Sequence, residues 1–338
     1  MVYGAIDLHM RYSQIRVVDE SGVVLRDQRI VTARERFVKA FDGFGPMRIL
    51  VETGTESEWV AQALESAGHE VIVADPNYAP MYGELTRKIK TDRRDVTALA
   101  EANRRGWYRP VHRVSATQRE TRQVLRTRRL LVATRTGMVS LVRALLKQSG
   151  YRLSTGTCDT VPARVERLAV PRMLAETLAP LCRQIARLTE EIHAIDRRLK
   201  QRVADDVIVA RLQSVPGIGV IVAATFRAFV DTHERFTTGG QVSAAIGLVP
   251  REDSSAERRH RGHITKVGPR ELRSLLIQAA WVCWRHPHSA ALRAWADRLA
   301  ARRGKRIAVV AIARRLSRIL FAIWRDGATF DARRLAMA

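Results

Sequence analysis

"VYGAIDLHMRYSQIRVVDESGVVLRDQRIV", Val2 to Val31, decides the reading of the fold. Its runs "VYGAIDLHM", "SQIRVVDE" and "VVLRDQRIV" are rich in β-forming residues, and "ESG" at Glu20 to Gly22 separates the last two as a hairpin turn would. Three successive strands of this kind predict an antiparallel meander. Downstream the rhythm changes to a helix near "ARERFVKAFDGF", a strand "MRILVET", a helix over "SEWVAQALESAG", a strand "HEVIVAD" and a helix beginning around Pro76.

A meander followed by alternating units predicts an α/β, RNase H-like sheet rather than a doubly wound nucleotide fold, which alternates from its start. From about Ser115 to Asp206 the period becomes helical. Val124, Leu131, Met138 and Leu145 recur every seven residues, and Leu181, Ile185, Leu188, Ile192, Ile195 and Leu199 follow the 4-3-4-3-4 spacing of a coiled-coil seam. An intramolecular hairpin and an oligomerisation arm fit that pattern equally. The expected organisation is an RNase H-like domain over 1–112, a long-helix coiled-coil region over 113–206 and a mainly helical domain over 207–338.

Charge narrows the partners. In 338 residues there are 58 Lys+Arg against 34 Asp+Glu, a formal net charge of +24. Such a chain attracts polyanions, nucleic acid first among them. A membrane surface would need an amphipathic or lipidated anchor, and apolar runs such as "IAVVAIA" (Ile307 to Ala313) are far short of a bilayer span. The N-terminus lacks the pattern of a signal peptide, which predicts a cytoplasmic protein. Cys158, Cys182 and Cys283, odd in number and far apart, suggest neither a disulfide framework nor zinc, and are expected to be buried apolar residues.

Against this basic background, acidic residues gather at predicted strand ends. Asp7 ends the first strand in "AIDLH" and Glu52 the fourth in "LVETG", while Asp92 and Asp95 in "KTDRRDV" open a helix. In an RNase H-like sheet the first and fourth strands are neighbours, so Asp7 and Glu52 would meet at one end with that helix over them. Two helix positions three apart are roughly 5–6 Å apart at Cβ, where like charges repel unless a cation lies between. Hard divalent ions with oxygen ligands, Mg²⁺ or Mn²⁺, resolve the conflict, and a pair of them can stabilise both oxygens of a phosphodiester exchange. Lys90, Arg93 and Arg94 beside the aspartates suit a phosphate backbone, or merely neutralise the helix start. An actin-like sugar kinase also begins with a strand ending in Asp, but its Gly-rich phosphate loops are missing here.

These residues, with "VPGIG" and "GLVPREDSS…GHITKVGPRELRSLLIQAAW", resemble the DEDD-type transposases of insertion sequences, described as bridge-RNA-guided serine recombinases, along nearly the whole chain. The resemblance implies a RuvC-like N-terminal domain, a coiled-coil linker and a C-terminal transposase domain. It implies Mg²⁺ bound by Asp7, Glu52, Asp92 and Asp95, and a serine that forms a phosphoserine link to DNA. It further implies a structured non-coding guide RNA that pairs with donor and target DNA, and a homo-oligomer, dimer to tetramer, whose composite sites join the tetrad of one subunit to the serine of another. Its setting would be the bacterial cytoplasm, at the nucleoid.

Within "LVPREDSSAERRHRGHITKVG", Ser254 and Ser255 read as a polar loop ahead of Arg258, Arg259, Arg261 and Lys266. A serine hydroxyl attacks phosphorus only if its proton is taken and cations spread the developing charge. By residue type alone two loop serines are turn formers; the resemblance favours Ser254 as nucleophile and leaves Ser255 as the alternative, because Ala256 stands where the family usually has Gly. His260 and His263 lack a third ligand and read as basic contacts. "SVPGIGVIVAATF" has the pattern of a helix-hairpin-helix in which Gly217 and Gly219 let backbone N–H groups approach a phosphate, or of a plain tight turn. Trp281, Trp284 and Trp295 are expected in the core. Two rival functions remain: a RuvC-like junction endonuclease that cuts with water, and a non-catalytic nucleic-acid-binding protein.

Overall fold

The computed structural model describes residues 1–78, 81, 92–255, 258–287 and 290–332, with backbone alone at 253–255, 258–261 and 291. The chain divides into two compact units, Met1–Arg113 and Val114–Ala338. Lys90, and most of the helix expected from Pro76, lie outside the described residues.

In the first unit the meander forms as expected: β1 (Tyr3–Asp7), β2 (Tyr12–Val18) and β3 (Val24–Val31) pair antiparallel. The Asp19 carboxylate accepts from the Ser21 and Val23 amides, both at 2.9 Å, and so closes the β2–β3 turn. Helix α1 (Arg34–Phe41) leads to β4 (Arg48–Glu52), α2 (Ser57–Ser66), β5 (Glu70–Ala74) and α3 (Asp92–Arg105). The strand order is β3-β2-β1-β4-β5, with β1, β4 and β5 parallel.

Both faces of the central strands are buried, which is why "RILVE" reads as an apolar run rather than an alternation. Ile6, Ile49 and Val51 join Phe37, Phe41, Val60 and Leu64 of α1 and α2 in one core. Ala5 and Leu50 join Val96, Leu99 and Ala100 of α3 in the other. Because side chains alternate along a strand, Asp7 and Glu52 share the α3 face with Ala5 and Leu50.

The second unit opens with α4 (Ala116–Gln148), whose first turn is capped by the Ser115 hydroxyl. A short 3-10 turn and α5 (Val161–Glu166) connect it to α6 (Arg172–Arg202). The two long helices pack side by side in opposite directions: Arg202 reaches Thr121 at 3.2 Å, Arg128 reaches Asp196 at 3.1 Å and Arg135 reaches Thr189 at 3.1 Å. On α6 the stripe read from the sequence faces the partner, with Ile185, Ile192 and Leu199 fully buried. On α4 the buried Leu125, Val139 and Leu146 lie one residue beyond the expected Val124, Met138 and Leu145, with Val142 buried between them, while Val124, Leu131, Met138 and Leu145 are half-buried. Arg128 and Arg135 occupy two positions of the true stripe, and their ion pairs with Asp196 and Asp159 compensate charges that the apolar pattern could not have placed there.

A helical core follows: α7 (Val207–Leu212), α8 (Val220–Val230), α9 (Gly239–Ile246), α10 (Arg270–Arg285), α11 (Ala290–Arg303) and α12 (Lys305–Arg325). Between α9 and α10 stands a two-stranded hairpin, β6 (Pro250–Ser255) and β7 (Arg258–Ile264). Ser254 and Ser255 therefore end a strand instead of lying in a loop; "PREDSS" and "RRHRGHI" lack the apolar alternation that marks a strand. Of the cysteines only Cys283 is buried, Cys158 and Cys182 are half-buried, and none of the three forms a disulfide. Trp284 is core, whereas Trp281 and Trp295 are half-buried against it. Among the described residues no helix is long and apolar enough to cross a membrane.

Candidate functional site

Asp7 and Glu52 follow Ile6 and Val51, which are register partners on parallel β1 and β4, so the two carboxylates stand at the same end of neighbouring strands. Helix α3 is fixed over this face at both ends. Near its C-terminus the buried Asn103 donates from Nδ2 to the carbonyls of Gly4 (2.8 Å) and Arg48 (2.9 Å), which ties the helix to β1 and β4. At its N-terminus Arg93 pairs with Asp27 at 3.3 Å, and Asp27 also receives Arg16 (3.2 Å) and Gln14 (2.6 Å), while Arg16 hydrogen-bonds Thr97. This network holds the first turn, and with it Asp92 and Asp95, above the strand ends.

Asp7 is only 7% exposed. Burial is the largest influence on its carboxyl and pushes its pKa up; the charges of Asp95 and Asp92 push the same way, and His9 pulls down. His9 is a residue that sequence reasoning missed. Its Nε2 lies 3.2 Å from Asp7 Oδ2 and 3.5 Å from Asp92 Oδ1. One ligand atom each from Asp7, His9 and Asp92 falls within 4.8 Å of the others. The available signal was the spacing Asp-x-His across a strand end, but only the arrival of α3 gives it a third member. Two carboxylate oxygens and an imidazole nitrogen, with Asp95 nearby, form a donor set suited to a divalent cation. Glu52 is half-buried, and Arg93 and Arg94 are exposed on α3.

In the second unit, β6 and β7 set Ser254 opposite Arg259, Ser255 opposite Arg258 and Glu252 opposite Arg261. The base of the hairpin is locked. Gly247 ends α9 in the left-handed region at φ +77, and a Cβ there would lie 2.2 Å from the Val267 carbonyl oxygen. The buried Arg273 guanidinium donates to the carbonyls of Ile246 (2.8 Å) and Val267 (3.0 Å). Lys266, exposed, adopts φ 57 just beyond β7. In the turn between α7 and α8, Gly217 takes φ +82 with its α-carbon face against α10, where a Cβ would meet the Ala279 carbonyl at 2.7 Å, while Gly219 heads α8 in open space.

Comparison with known proteins agrees with these features. A family model described as "Transposase IS116/IS110/IS902 family" matches residues 209–295, and a DEDD-type IS110 model described as "Transposase" matches residues 5–150. The chain is 30% identical to a "Probable family 20 transposase" of Pseudomonas aeruginosa over 94% of its own length and 95% of that protein. It is 28% identical to the "Transposase for insertion sequence element IS1111A" of Coxiella burnetii, over 94% of this chain and 88% of the relative. With the "Transposase for insertion sequence element IS1328" of Yersinia enterocolitica it shares 26% identity over 96% and 97% of the two chains. A five-stranded sheet carrying clustered carboxylates, a helical second unit and matches of this extent lead to one conclusion: the chain belongs to the IS116/IS110/IS902 family of transposases.

Proposed function

We propose that this protein is an RNA-guided DNA recombinase that mobilises its own insertion sequence through a phosphoserine intermediate. The observation that carries the reading is the convergence of Asp7 and Asp92 beside His9, in a chain whose first unit matches a DEDD-type transposase model. That match implies dependence on a divalent metal, and the donor set fits one. Asp7, Glu52, Asp92 and Asp95 are the residues that would hold Mg²⁺, or Mn²⁺. The bound cation would supply charge neutralisation at a phosphodiester and lower the pKa of an attacking hydroxyl.

Ser254, with Ser255 as the alternative, is the proposed nucleophile. Its Oγ–P bond forms as a bridging P–O bond of the DNA strand breaks, the serine proton passes to a base or water, and the leaving oxygen departs as a hydroxyl. Attack by a hydroxyl of the exchanged strand then restores the phosphodiester and frees the serine. Arg258, Arg259, Arg261 and Lys266 spread the charge on phosphorus, and Arg259 and Arg258 stand opposite the serines in the hairpin register. Lys90, Arg93, Arg94, Gly217 and Gly219 are proposed contacts to nucleic-acid backbone. The structured guide RNA would pair with donor and target DNA. The packed α4 and α6 would form a coiled-coil arm of a dimeric to tetrameric assembly in the bacterial cytoplasm, at the nucleoid.

Supercoiled donor and target plasmids incubated with the protein and its flanking non-coding RNA test the reading. Recombinants and a covalent protein–DNA adduct are expected, with the adduct lost in Ser254→Ala and kept in Ser255→Ala. The reverse outcome moves the role to Ser255. Hydrolysed ends without an adduct mean a junction endonuclease that uses water, and unchanged recombination in both variants ends the serine mechanism.

A further inference from the structure

His9 occupies a position that neither the carboxylate tetrad nor the serine chemistry uses. It follows β1 by two residues, and its backbone is held from the end of β3 and the start of β2: the Thr32 hydroxyl donates to the His9 carbonyl at 2.7 Å, and Thr32 in turn meets the buried Ser13 hydroxyl at 2.8 Å. The ring is thereby presented to Asp7 and Asp92 rather than left to wander, although its side chain remains 52% exposed.

The distances resemble those of ligands sharing an ion. Metal–ligand bonds of about 2.0–2.2 Å put neighbouring octahedral ligand atoms about 3 Å apart and opposite ones about 4 Å apart. The separations of 3.2 Å from Asp7 Oδ2 to His9 Nε2 and 3.5 Å from His9 Nε2 to Asp92 Oδ1 lie near the edge length of such a shell. An all-carboxylate site suits Mg²⁺, whereas an imidazole nitrogen is a poor ligand for that ion and a good one for transition metals.

We propose that His9 is a nitrogen ligand of the cation held by Asp7 and Asp92, and that it shifts the preference of this centre from Mg²⁺ toward Mn²⁺. The proposal rests on the reading of the carboxylates as a metal site. It would make the donor set of this centre mixed, with the third position supplied by the strand-end turn rather than by α3.

The test uses the full-length, nucleic-acid-free protein and Mn²⁺ as the probe. Protein labelled with ¹⁵N-histidine and loaded with Mn²⁺ should show ¹⁵N coupling to the ion by pulsed electron paramagnetic resonance, and unlabelled protein the corresponding ¹⁴N modulation. His9→Ala should lose that coupling and weaken Mn²⁺ binding by at least about tenfold, the lower end of what removing even an outer partner of a ligand does. Mg²⁺ affinity, read by competition, should change less. A wild-type spectrum without histidine coupling overturns the proposal even if the variant does not fold, as does a folded His9→Ala that keeps the wild-type preference for Mn²⁺ over Mg²⁺. Asp7→Asn separates the two layers. If it abolishes binding of both ions while His9→Ala leaves binding and selectivity unchanged, only the histidine role fails; if Asp7→Asn also binds both ions normally, the metal site itself is wrong.

Discussion

Asp7 ends a strand buried on both faces, whereas Ser254 nears the end of a strand whose neighbours Arg251 and Glu252 are exposed. The carboxylate site inherits its geometry from apolar packing. Ala5 and Leu50 beneath, with Val96 and Leu99 above, hold α3 against β1 and β4, and polar ties at Asn103 and Asp27 set its two ends. The serine hairpin takes its geometry from backbone pairing and from a base locked by Gly247 and Arg273. Packing can thus aim charged groups that repel one another, while a polar hairpin must be aimed from where it joins the core.

Substitutions that remove one support at a time break this contrast. Leu99→Ala deletes a fully buried side chain between α3 and the sheet and should destabilise the first unit by about 2–5 kcal/mol in denaturant melts. It should also weaken Mn²⁺ binding, because the Asp92 turn loses its footing. A loss confined to stability would separate site geometry from core packing.

Gly247→Ala should cost about 1–3 kcal/mol, since the left-handed backbone is strained with a Cβ and that atom collides with Val267. The accompanying effect should fall on adduct formation at the hairpin and leave Mn²⁺ affinity unchanged. Reduced metal binding in this variant would show that the two places are not built independently.

The smallest effect tests the electrostatics of Asp7. Burial raises its pKa above the ordinary 3.8, so the folded state holds the proton more tightly than the unfolded chain does. Without metal, the stability from this group is complete below 3.8 and is lost as pH rises through the raised folded value. Asp7→Asn should therefore raise the thermal midpoint in EDTA at neutral pH, and the gain should vanish below 3.8. A neutral-pH loss of stability in EDTA would mean that His9 compensates the carboxylate fully.

Several elements were legible because their signals are local. β1 to β5 announce themselves by β-branched and apolar runs, and the α6 stripe by unbroken apolar heptads. The α4 stripe was displaced by one residue because Arg128 and Arg135 sit within it, neutralised by Asp196 and Asp159 in distant sequence. The β6–β7 hairpin was hidden because its residues are polar on both faces of the pattern. Asp7, Glu52, Asp92 and Asp95 were singled out by their positions at two strand ends and a helix start, whereas nothing in the local pattern singled out His9.

By itself the sequence determined the order of β1 to β5 with the helices between them, the change to long helices in the middle of the chain and the excess of positive charge, all of which depend on residue type and short-range period. Tertiary structure alone decided that His9 meets Asp92, which helix stripe is buried on α4, and that the serines are in backbone register with arginines in a ladder. The physical reason is that charge compensation and backbone pairing act between residues far apart in the chain, and no local pattern records their partners.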